Sequence, residues 1–391
     1  MEDKMEIVYS NFDGLDLSFQ CVVPERILAR FRHAKEQAQK EKQDCALRLD
    51  GHNKPVMVAE TGSRGGYAFR FDTGIDGETW FLVDTRKPDV WNVRVSIKSL
   101  TLALNGYNKS CKKVLYFLQE ILHGKGKEKI DELTGEITYP PLERISRFDY
   151  CIDYKTDEFV LIPRNFIVHS RCKKTLIGEE NNLAPYSIMY GEKYSYFRAG
   201  TMPYKQVVLY DKLKDIKTKS KKYWFKFWNI DENEFSNEIW RLEIRAGKKE
   251  LNNWNLRRFE DFENKVGDVI LQVLQDIRYS TPSDTDTNIT RWQNHEMWKL
   301  AIQRSELCLD EYISNAKRGE VMKQIKEEVV ERFNKQFIGL FTSYTAILDE
   351  DMAQIPAVIE RIKEHASEQV LANPRKTEKK YLNAKNKYDF Q

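Results

Sequence analysis

Two segments with alternating polar and apolar residues, and a third β-prone segment between them, constrain the fold of this chain most strongly. The alternating segments span 144–154 and 239–246, and the third spans 206–212. Successive side chains of a β-strand point to opposite faces, so this period favours strands with one packed face and one polar face. Such strands are typical of antiparallel sheets, of which one face often stays in contact with water. The segments therefore predict an antiparallel sheet.

Further strand and helix signals surround these segments. Pro24, followed by apolar residues at helical spacing, predicts a helix that ends near residue 42. Short alternating runs between glycine and proline turns predict more antiparallel strands between about 45 and 104. The remaining patterns predict one or two short strands within 1–20 and helices over about 110–122 and 254–278.

The composition changes after a linker-like Thr-Pro-Ser-Asp stretch at 281–284, and the chain beyond it has mainly helical patterns. Apolar residues recur there every four positions, which predicts one buried stripe of an amphipathic helix: Val321, Ile325, Val329, Phe333 and Phe337. The predicted fold class is thus α+β. An antiparallel-sheet domain flanked by helices is expected over 1–285, and an all-helical C-terminal domain with a basic tail over 286–391.

Composition narrows the class of protein. Of the 391 residues, 41% are hydrophobic and 31% are charged, which is typical of a soluble globular protein. No apolar run approaches the roughly 20 residues that span a bilayer, and the first residues lack the apolar stretch of a secretion signal. The six cysteines are scattered without a CxxC pair, which disfavours a zinc site or a disulfide framework. We therefore expect a cytoplasmic protein without membrane contact.

The net charge of +3 conceals three basic blocks. Residues 164–174 contain four basic residues and no acid, residues 212–226 contain seven lysines and one acid, and residues 375–387 contain six basic residues and one acid. Blocks of this kind favour a polyanion such as DNA, although solvated lysine-rich loops give the same pattern. The candidate DNA contacts within the first two blocks are Arg171, Lys173, Lys174, Lys221 and Lys222. An adjacent aromatic run, 223–228, would suit either stacked bases or a packed core.

The polar sides of the three central segments carry residues that suit phosphate chemistry. If the segments are neighbouring strands, Asp149, Asp153 and Glu243 would gather on one surface. Carboxylates at that density need a cation, and Mg²⁺ or Mn²⁺ would leave ligand positions for substrate phosphate. Lys212 would balance charge, and the arginines on the same side would bind DNA phosphate: Arg147, Arg241 and Arg245. The ordinary alternative is the solvated face of any antiparallel sheet.

At these residues the chain resembles a known family. The segments SRFDYCIDY, VVLYDKLKD and WRLEIRAGKKEL are similar, in order and spacing, to successive motifs of the rolling-circle replication initiators. That group includes the trans-acting initiators of staphylococcal plasmids and the gene II proteins of filamentous phages. The upstream segment WNVRVS is also similar, and the likeness covers about 60–255.

The resemblance implies a DNA strand-nicking enzyme. Members of the family bind a hairpin or bent origin, cut one strand, and stay joined to the 5′ phosphate through a tyrosine, while the free 3′ hydroxyl primes synthesis. By motif match, Tyr210 falls at the nucleophile, and Asp149 and Glu243 fall at the family's acidic positions. A phenol needs a metal or a base to lose its proton, so Mg²⁺ or Mn²⁺ fits the chemistry. The C-terminal helices would recruit a host helicase, mediate homodimerisation or simply pack.

Two departures from the family pattern leave alternatives open. Asp215 stands where many relatives have a glutamate, and several tyrosines precede Tyr210, of which Tyr196 is the second candidate nucleophile. No histidine has a partner two positions away, so a metal would depend on carboxylates. A conjugative or mobilisation relaxase would share this chemistry, whereas a non-catalytic origin-binding protein would need only the basic blocks. A tyrosine recombinase is disfavoured because no histidine is followed by an arginine three positions later.

Overall fold

A computed structural model describes residues 5–87, 89–131, 134–169, 188–190, 193–233, 235–309, 311, 314 and 316–390. Its main feature is a sheet of eleven strands in the order β11-β12-β13-β14-β9-β1-β6-β5-β4-β3-β2, with antiparallel neighbours throughout. The strands are β1 (Glu6–Gln20), β2 (Cys45–Leu47), β3 (Val56–Val58), β4 (Phe69–Asp72), β5 (Thr79–Leu82), β6 (Trp91–Ile97), β7 (Lys129–Ile130), β8 (Ile137–Thr138), β9 (Leu142–Thr156), β10 (Phe166–Val168), β11 (Ile188–Tyr190), β12 (Lys193–Gly200), β13 (Lys205–Asp211), β14 (Glu238–Gly247) and β15 (Ile277–Tyr279).

Helices lie between the strands along the chain and also follow the last strand. They are α1 (Glu25–Glu41), α2 (Ser99–Tyr116, continued by a π-helical turn over Phe117–Ile121), α3 (Lys212–Thr218), α4 (Trp224–Trp228), α5 (Lys248–Asn253), α6 (Phe259–Asp276), α7 (Glu296–Ser305), α8 (Arg318–Ile347), α9 (Ile355–Ala372) and α10 (Pro374–Lys387). The predicted α+β fold with C-terminal helices is confirmed. Among the described residues, no helix is long and apolar enough to cross a membrane.

The two faces of the sheet differ, as the alternating residues predict. One face packs against α1, α2, α6 and α7 and contains the main core, with Leu17, Val95 and Phe148 fully buried. The other face, which we call the polar face, carries Tyr210, Glu243, Asp149 and the other side chains that point to the same side of the sheet. At one end of this face, α4 and the beginning of α8 cover it with a second apolar cluster.

Several boundaries differ from those expected from sequence. Strand β1 is one fifteen-residue strand instead of one or two short ones, because it pairs with β9 along its whole length across several bulges. Helix α2 begins at Ser99, well before residue 110, and passes through a kink at Gly106, which has a φ of 72°. This positive φ is more accessible to glycine than to other residues.

The predicted stripe of α8 is only partly buried. Val321 and Ile325 are buried in the second apolar cluster, whereas Phe337 is 54% exposed. The reason is length: thirty residues extend about 45 Å, and the buried apolar residues of α8 lie in its first turns, where they belong to the second apolar cluster. Helix α7, which lies beyond residue 285, packs in the main core through Trp298 and Ala301. The division of the chain at 285/286 stays a prediction.

Candidate active site

The register of the central strands brings the predicted residues together. Strands β13, β14 and β9 are consecutive neighbours, so the premise that the three segments lie side by side is correct. Tyr210 lies opposite Arg241, which lies opposite Asp153, and Arg245 lies opposite Asp149. Since these residues point to the same side of the sheet, they form one polar cluster on the polar face.

Tyr210 occupies the centre of the cluster. Its hydroxyl donates a hydrogen bond of 2.7 Å to Oε1 of Glu243, and Nζ of Lys212 donates to the same phenol oxygen at 3.5 Å. The ring stays partly exposed at the end of β13. Burial of the hydroxyl and the negative charge of Glu243 raise the pKa of Tyr210 well above its usual value, so the phenol is protonated at neutral pH.

Glu243 is a buried carboxylate that accepts from two partners. Its Oε1 accepts from Tyr210, and its Oε2 accepts from Nε of Arg245 at 3.0 Å and from a second guanidinium nitrogen of the same arginine. Burial favours a raised pKa, but the charges of Arg245 and Arg241 outweigh it and lower the pKa of Glu243 to about 2. The side chain therefore holds a negative charge beside the phenol across the physiological range.

Asp149 forms the second acidic position of the cluster. Arg147 grips its carboxylate with two hydrogen bonds of 2.8 and 2.6 Å, and Nε of Arg245 lies 3.9 Å from Oδ2. Burial raises the pKa of Asp149, and the pairing with Arg147 opposes that change. On the neighbouring strand Gly14 gives this carboxylate room, because a Cβ atom there would lie 3.2 Å from Oδ2. Arg245 is thus shared between the two carboxylates.

Asp153 and Arg241 have a different role from the one expected. Both side chains are fully buried, and Arg241 donates two hydrogen bonds to Asp153, at 2.6 and 2.7 Å, and one of 2.8 Å to Asp13. Trp228 donates to the same Asp153 carboxylate at 2.7 Å, and the guanidinium lies 4.2 Å from the ring centre of Trp224. The sequence predicts that Asp153 binds a metal and that Arg241 binds DNA, but the structure instead pairs the two side chains with each other in a site closed to solvent.

Among the described residues, no three His, Cys, Asp or Glu side chains come close enough to hold a metal ion. Two carboxylates, Asp149 and Glu243, flank the Arg245 guanidinium. Mg²⁺ is commonly bound by one or two carboxylates, with water and substrate phosphate as its other ligands. The donor pair therefore fits such an ion in number and type, and the ion would compete with Arg245 for both carboxylates.

The second candidate nucleophile lies beside the first. Tyr196 on β12 is directly opposite Tyr210, and the ring centroids are 6.3 Å apart. Burial raises the pKa of Tyr196 as well. Lys212 is buried beside the Tyr210 ring, with its Nζ 4.6 Å from the ring centre of Trp224 and 3.7 Å from Asp215, and burial lowers its pKa. A buried ammonium beside a phenol oxygen is suited to stabilise negative charge there.

The remaining predicted DNA contacts divide into two groups. Arg171, Lys173 and Lys174 lie outside the described residues. Lys221 and Lys222 precede α4 and are partly exposed, and Lys222 pairs with Glu232 at 2.6 Å. The aromatic run that follows them is buried in the second apolar cluster, so the core alternative is correct and its rings do not offer a platform for bases.

Sequence reasoning missed Asp13, which approaches Arg241 from β1. It lies where the pairing of β1 with β9 is irregular, between Phe12 and Gly14. Trp224 and Trp228 were also missed as supports of the cluster, since nothing in a buried aromatic run indicates which of its rings contact charged groups. A long-range pairing of this kind has no local sequence signal.

Comparisons with known proteins add only a loose similarity. No family model matches the chain, and no curated protein matches it. A search of solved structures finds a rolling-circle replication initiator protein from Geobacillus stearothermophilus. The TM-score is 0.40 at 12% identity, and the match covers 79% of this chain and 100% of that one.

Proposed function

We propose that this protein is a replication initiator that nicks one DNA strand at an origin and starts rolling-circle replication. The observation that supports this proposal is the position of the Tyr210 hydroxyl, which lies between the Glu243 carboxylate at 2.7 Å and the Lys212 ammonium at 3.5 Å. A partly exposed tyrosine, with groups that orient it and groups that stabilise its anion, is the arrangement expected of a nucleophile.

In this proposal the phenol oxygen of Tyr210 attacks the scissile phosphorus. The phenol proton leaves along the hydrogen bond to Glu243 and passes to water, the bond from phosphorus to the 3′ oxygen breaks, and the 3′ oxygen takes up a proton from water. The 5′ phosphate stays on the tyrosine as a diester. Glu243 aligns the phenol through its hydrogen bond, and the positive charge of Lys212 stabilises the developing phenolate. Because one ester replaces another, the reaction is reversible, and the free 3′ hydroxyl can prime synthesis.

The arginines of the cluster would hold the phosphate. Arg147 and Arg245 are partly exposed and lie on the same face as Tyr210, where guanidinium groups can pair with phosphate oxygens in a bidentate manner. Mg²⁺ or Mn²⁺, held by Asp149 and Glu243, would supply further positive charge to the scissile phosphate. The phosphate would then replace Asp149 and Glu243 as the partner of the two guanidinium groups.

The test is a nicking assay on supercoiled DNA that carries the gene of this protein and its flanks. We expect open circles in the presence of Mg²⁺ or Mn²⁺, no open circles with a chelator, and none with Tyr210→Phe. Tyr116→Phe serves as the matched control, because this tyrosine is exposed on α2. Nicking that persists in Tyr210→Phe and disappears in Tyr196→Phe would transfer the role of nucleophile to Tyr196.

Two other functions differ in this assay. A conjugative or mobilisation relaxase would nick a transfer origin by the same chemistry. Whether the protein nicks DNA that carries a transfer origin or DNA that carries a replication origin distinguishes the two functions. A non-catalytic origin-binding protein would retard the DNA equally with metal or chelator and would leave it supercoiled. The Tyr210–Glu243–Lys212 arrangement favours the nickase, because binding alone needs none of these three residues.

We also propose a homodimer formed through the exposed part of α8. Its apolar residues there follow the alternating three- and four-residue spacing of a coiled-coil seam: Val330, Phe333, Phe337, Leu340, Tyr344 and Ile347. Leu340 is 64% and Ile347 78% exposed. The flanking positions Asn334, Gln336 and Ser343 are uncharged, so a second copy of the same helix would meet no repulsion. A helix of a host helicase is the competing occupant.

A further inference from the structure

A second group of arginine and aromatic side chains lies on the polar face, beyond Arg147. It consists of Tyr67, Phe81, Trp91, Arg94 and Arg144, which we call the arginine–aromatic strip. All five side chains are partly exposed. Arg144 lies three residues from Arg147 along β9, and the register shift between these positions turns both side chains to the polar face. The strip therefore continues directly from the polar cluster around Tyr210.

The strand register places the strip in a row across the sheet. Arg144 on β9 pairs with Ser18 on β1, which pairs with Arg94 on β6, and Arg94 pairs with Phe81 on β5. Adjacent strands are about 4.8 Å apart, so the row from β9 to β5 extends roughly 14 Å. Ser18, which lies between the two arginines, is small and buried. The row therefore presents the two arginine side chains and Phe81 next to one another across the sheet.

Each ring of the strip lies close to another of its members. The Cζ atom of Arg144 lies 3.9 Å from the ring centre of Trp91, and that of Arg94 lies 5.1 Å from the ring centre of Phe81. The ring centroids of Tyr67 and Phe81 are 5.9 Å apart. Burial raises the pKa of the Tyr67 hydroxyl, and the positive charges of Arg94 and Arg144 oppose this rise. Aromatic rings and guanidinium groups thus lie next to one another on a partly exposed surface.

The charge of the strip is only partly neutralised. Arg94 pairs with Asp16 at 2.9 Å, and Asp16 is the carboxylate that faces the row from β1. In the part of the chain that the structure describes, Arg144 has no ion-pair partner, and its Nε atom is buried without a hydrogen-bond partner. Because the side chain is partly exposed, its unpaired charge favours an anionic ligand.

We propose that the arginine–aromatic strip binds single-stranded DNA next to the cleaved bond. Bases would stack on Trp91, Phe81 and the arginine planes, while Arg144 and Arg94 contact the phosphates. Surfaces that combine cations with exposed rings bind unpaired nucleic acid, because only unpaired bases present their faces. Duplex DNA would reach the cations but not the rings. The inference rests on the proposed nicking function, since it assigns the path of the strand that leaves the nucleophile.

The test measures binding apart from cleavage. Fluorescence anisotropy would follow a labelled single-stranded oligonucleotide and a duplex of equal length, both in a chelator so that no strand is cut. We expect Trp91→Ala to weaken single-stranded binding about tenfold and duplex binding less than twofold. Trp91→Phe retains a ring, and its affinity for single-stranded DNA is expected to stay within about twofold of the wild-type value. Tyr116→Ala, which removes an exposed ring on α2, is the matched control.

Arg144→Gln provides a second, independent variant. Loss of one phosphate contact should lower the slope of log K against log salt concentration by about 0.7 for single-stranded DNA. Urea midpoints of all variants report whether the fold is retained, and Arg144→Gln decides the question if Trp91→Ala unfolds. Unchanged single-stranded binding in a folded Trp91→Ala or Arg144→Gln protein would overturn the proposal. Equal losses on single-stranded and duplex DNA would overturn the stacking role.

These outcomes are separate from the fate of the nicking proposal. If the protein binds single strands through the strip but never nicks, the binding proposal stands and the nicking proposal is refuted. If the protein nicks through Tyr210 but strip substitutions leave single-stranded binding unchanged, the nicking proposal stands and the binding proposal is refuted.

Discussion

The buried ion pair behind the polar cluster makes a large and specific stability prediction. Arg241→Met removes a guanidinium that donates to Asp153 at 2.6 and 2.7 Å and to Asp13 at 2.8 Å, and replaces it with an apolar chain of similar length. Asp153 then keeps only Trp228 as a described donor, in a site that is fully buried. Leaving one partner of a buried pair uncompensated costs about 3–5 kcal/mol. Domains are stable by only about 5–15 kcal/mol.

The assay is urea unfolding followed by tryptophan fluorescence and circular dichroism. We expect the urea midpoint of Arg241→Met to fall while the slope of the unfolding free energy against urea concentration stays unchanged. This combination indicates that the folded state has lost stability and that the unfolded state has not changed. The double variant Arg241→Met/Asp153→Asn should recover part of the loss, because the uncompensated charge is gone. Lys335→Met, which breaks an exposed pair with Glu331 on α8, should leave the midpoint unchanged. A loss below about 1 kcal/mol in Arg241→Met, or a double variant less stable than the single one, would refute this reasoning.

Three further predictions concern pH, metal and assembly. Glu328 on α8 accepts a hydrogen bond from the backbone N–H of Tyr223, and burial raises the pKa of its carboxyl to about 7. A carboxyl whose pKa is higher in the folded state stabilises the fold at a pH below its unfolded pKa, and this stabilisation is lost as the pH rises toward 7. The urea midpoint of the natural protein should therefore fall relative to that of Glu328→Gln between about pH 4.5 and 8, and parallel curves would contradict this assignment. Mn²⁺ titrated by calorimetry should bind about tenfold more weakly to Asp149→Asn, and equal affinity would remove Asp149 from the proposed ligands. In sedimentation equilibrium, Leu340→Lys should turn a dimer into a monomer, whereas Lys335→Ala, outside the α8 seam, should not; a natural protein that is monomeric at all concentrations would contradict the dimer.

The central sheet follows from the sequence because its signal is local. Alternation in β9 and β14 fixes which side chains face the core, and the structure places Arg147 and Asp149 on one face and Phe148 and Tyr150 on the other. Burial of the apolar face then specifies the register, since a slip of one residue would expose it. The carboxylates of Asp149 and Glu243 could accordingly be expected on one surface.

The part of the site that the sequence does not predict depends on long-range contacts. Asp153 lies on the same strand face as Asp149, yet α4 covers it and Trp228 bonds to it. Nothing within β9 distinguishes the two aspartates, because the difference comes from a helix some 75 residues later. The exposed end of α8 escaped prediction for a related reason. Periodicity shows that a helix has an apolar face but not what covers that face.

Mapping the covalent attachment tests the central claim most directly. The protein is incubated with Mg²⁺ or Mn²⁺ and DNA that contains its origin, the adduct is digested with nuclease and protease, and the modified peptide is sequenced by mass spectrometry. The account predicts a 5′-nucleotide linked to Tyr210 and no adduct in Tyr210→Phe. An adduct on another residue, or nicked DNA without any covalent protein, would contradict it.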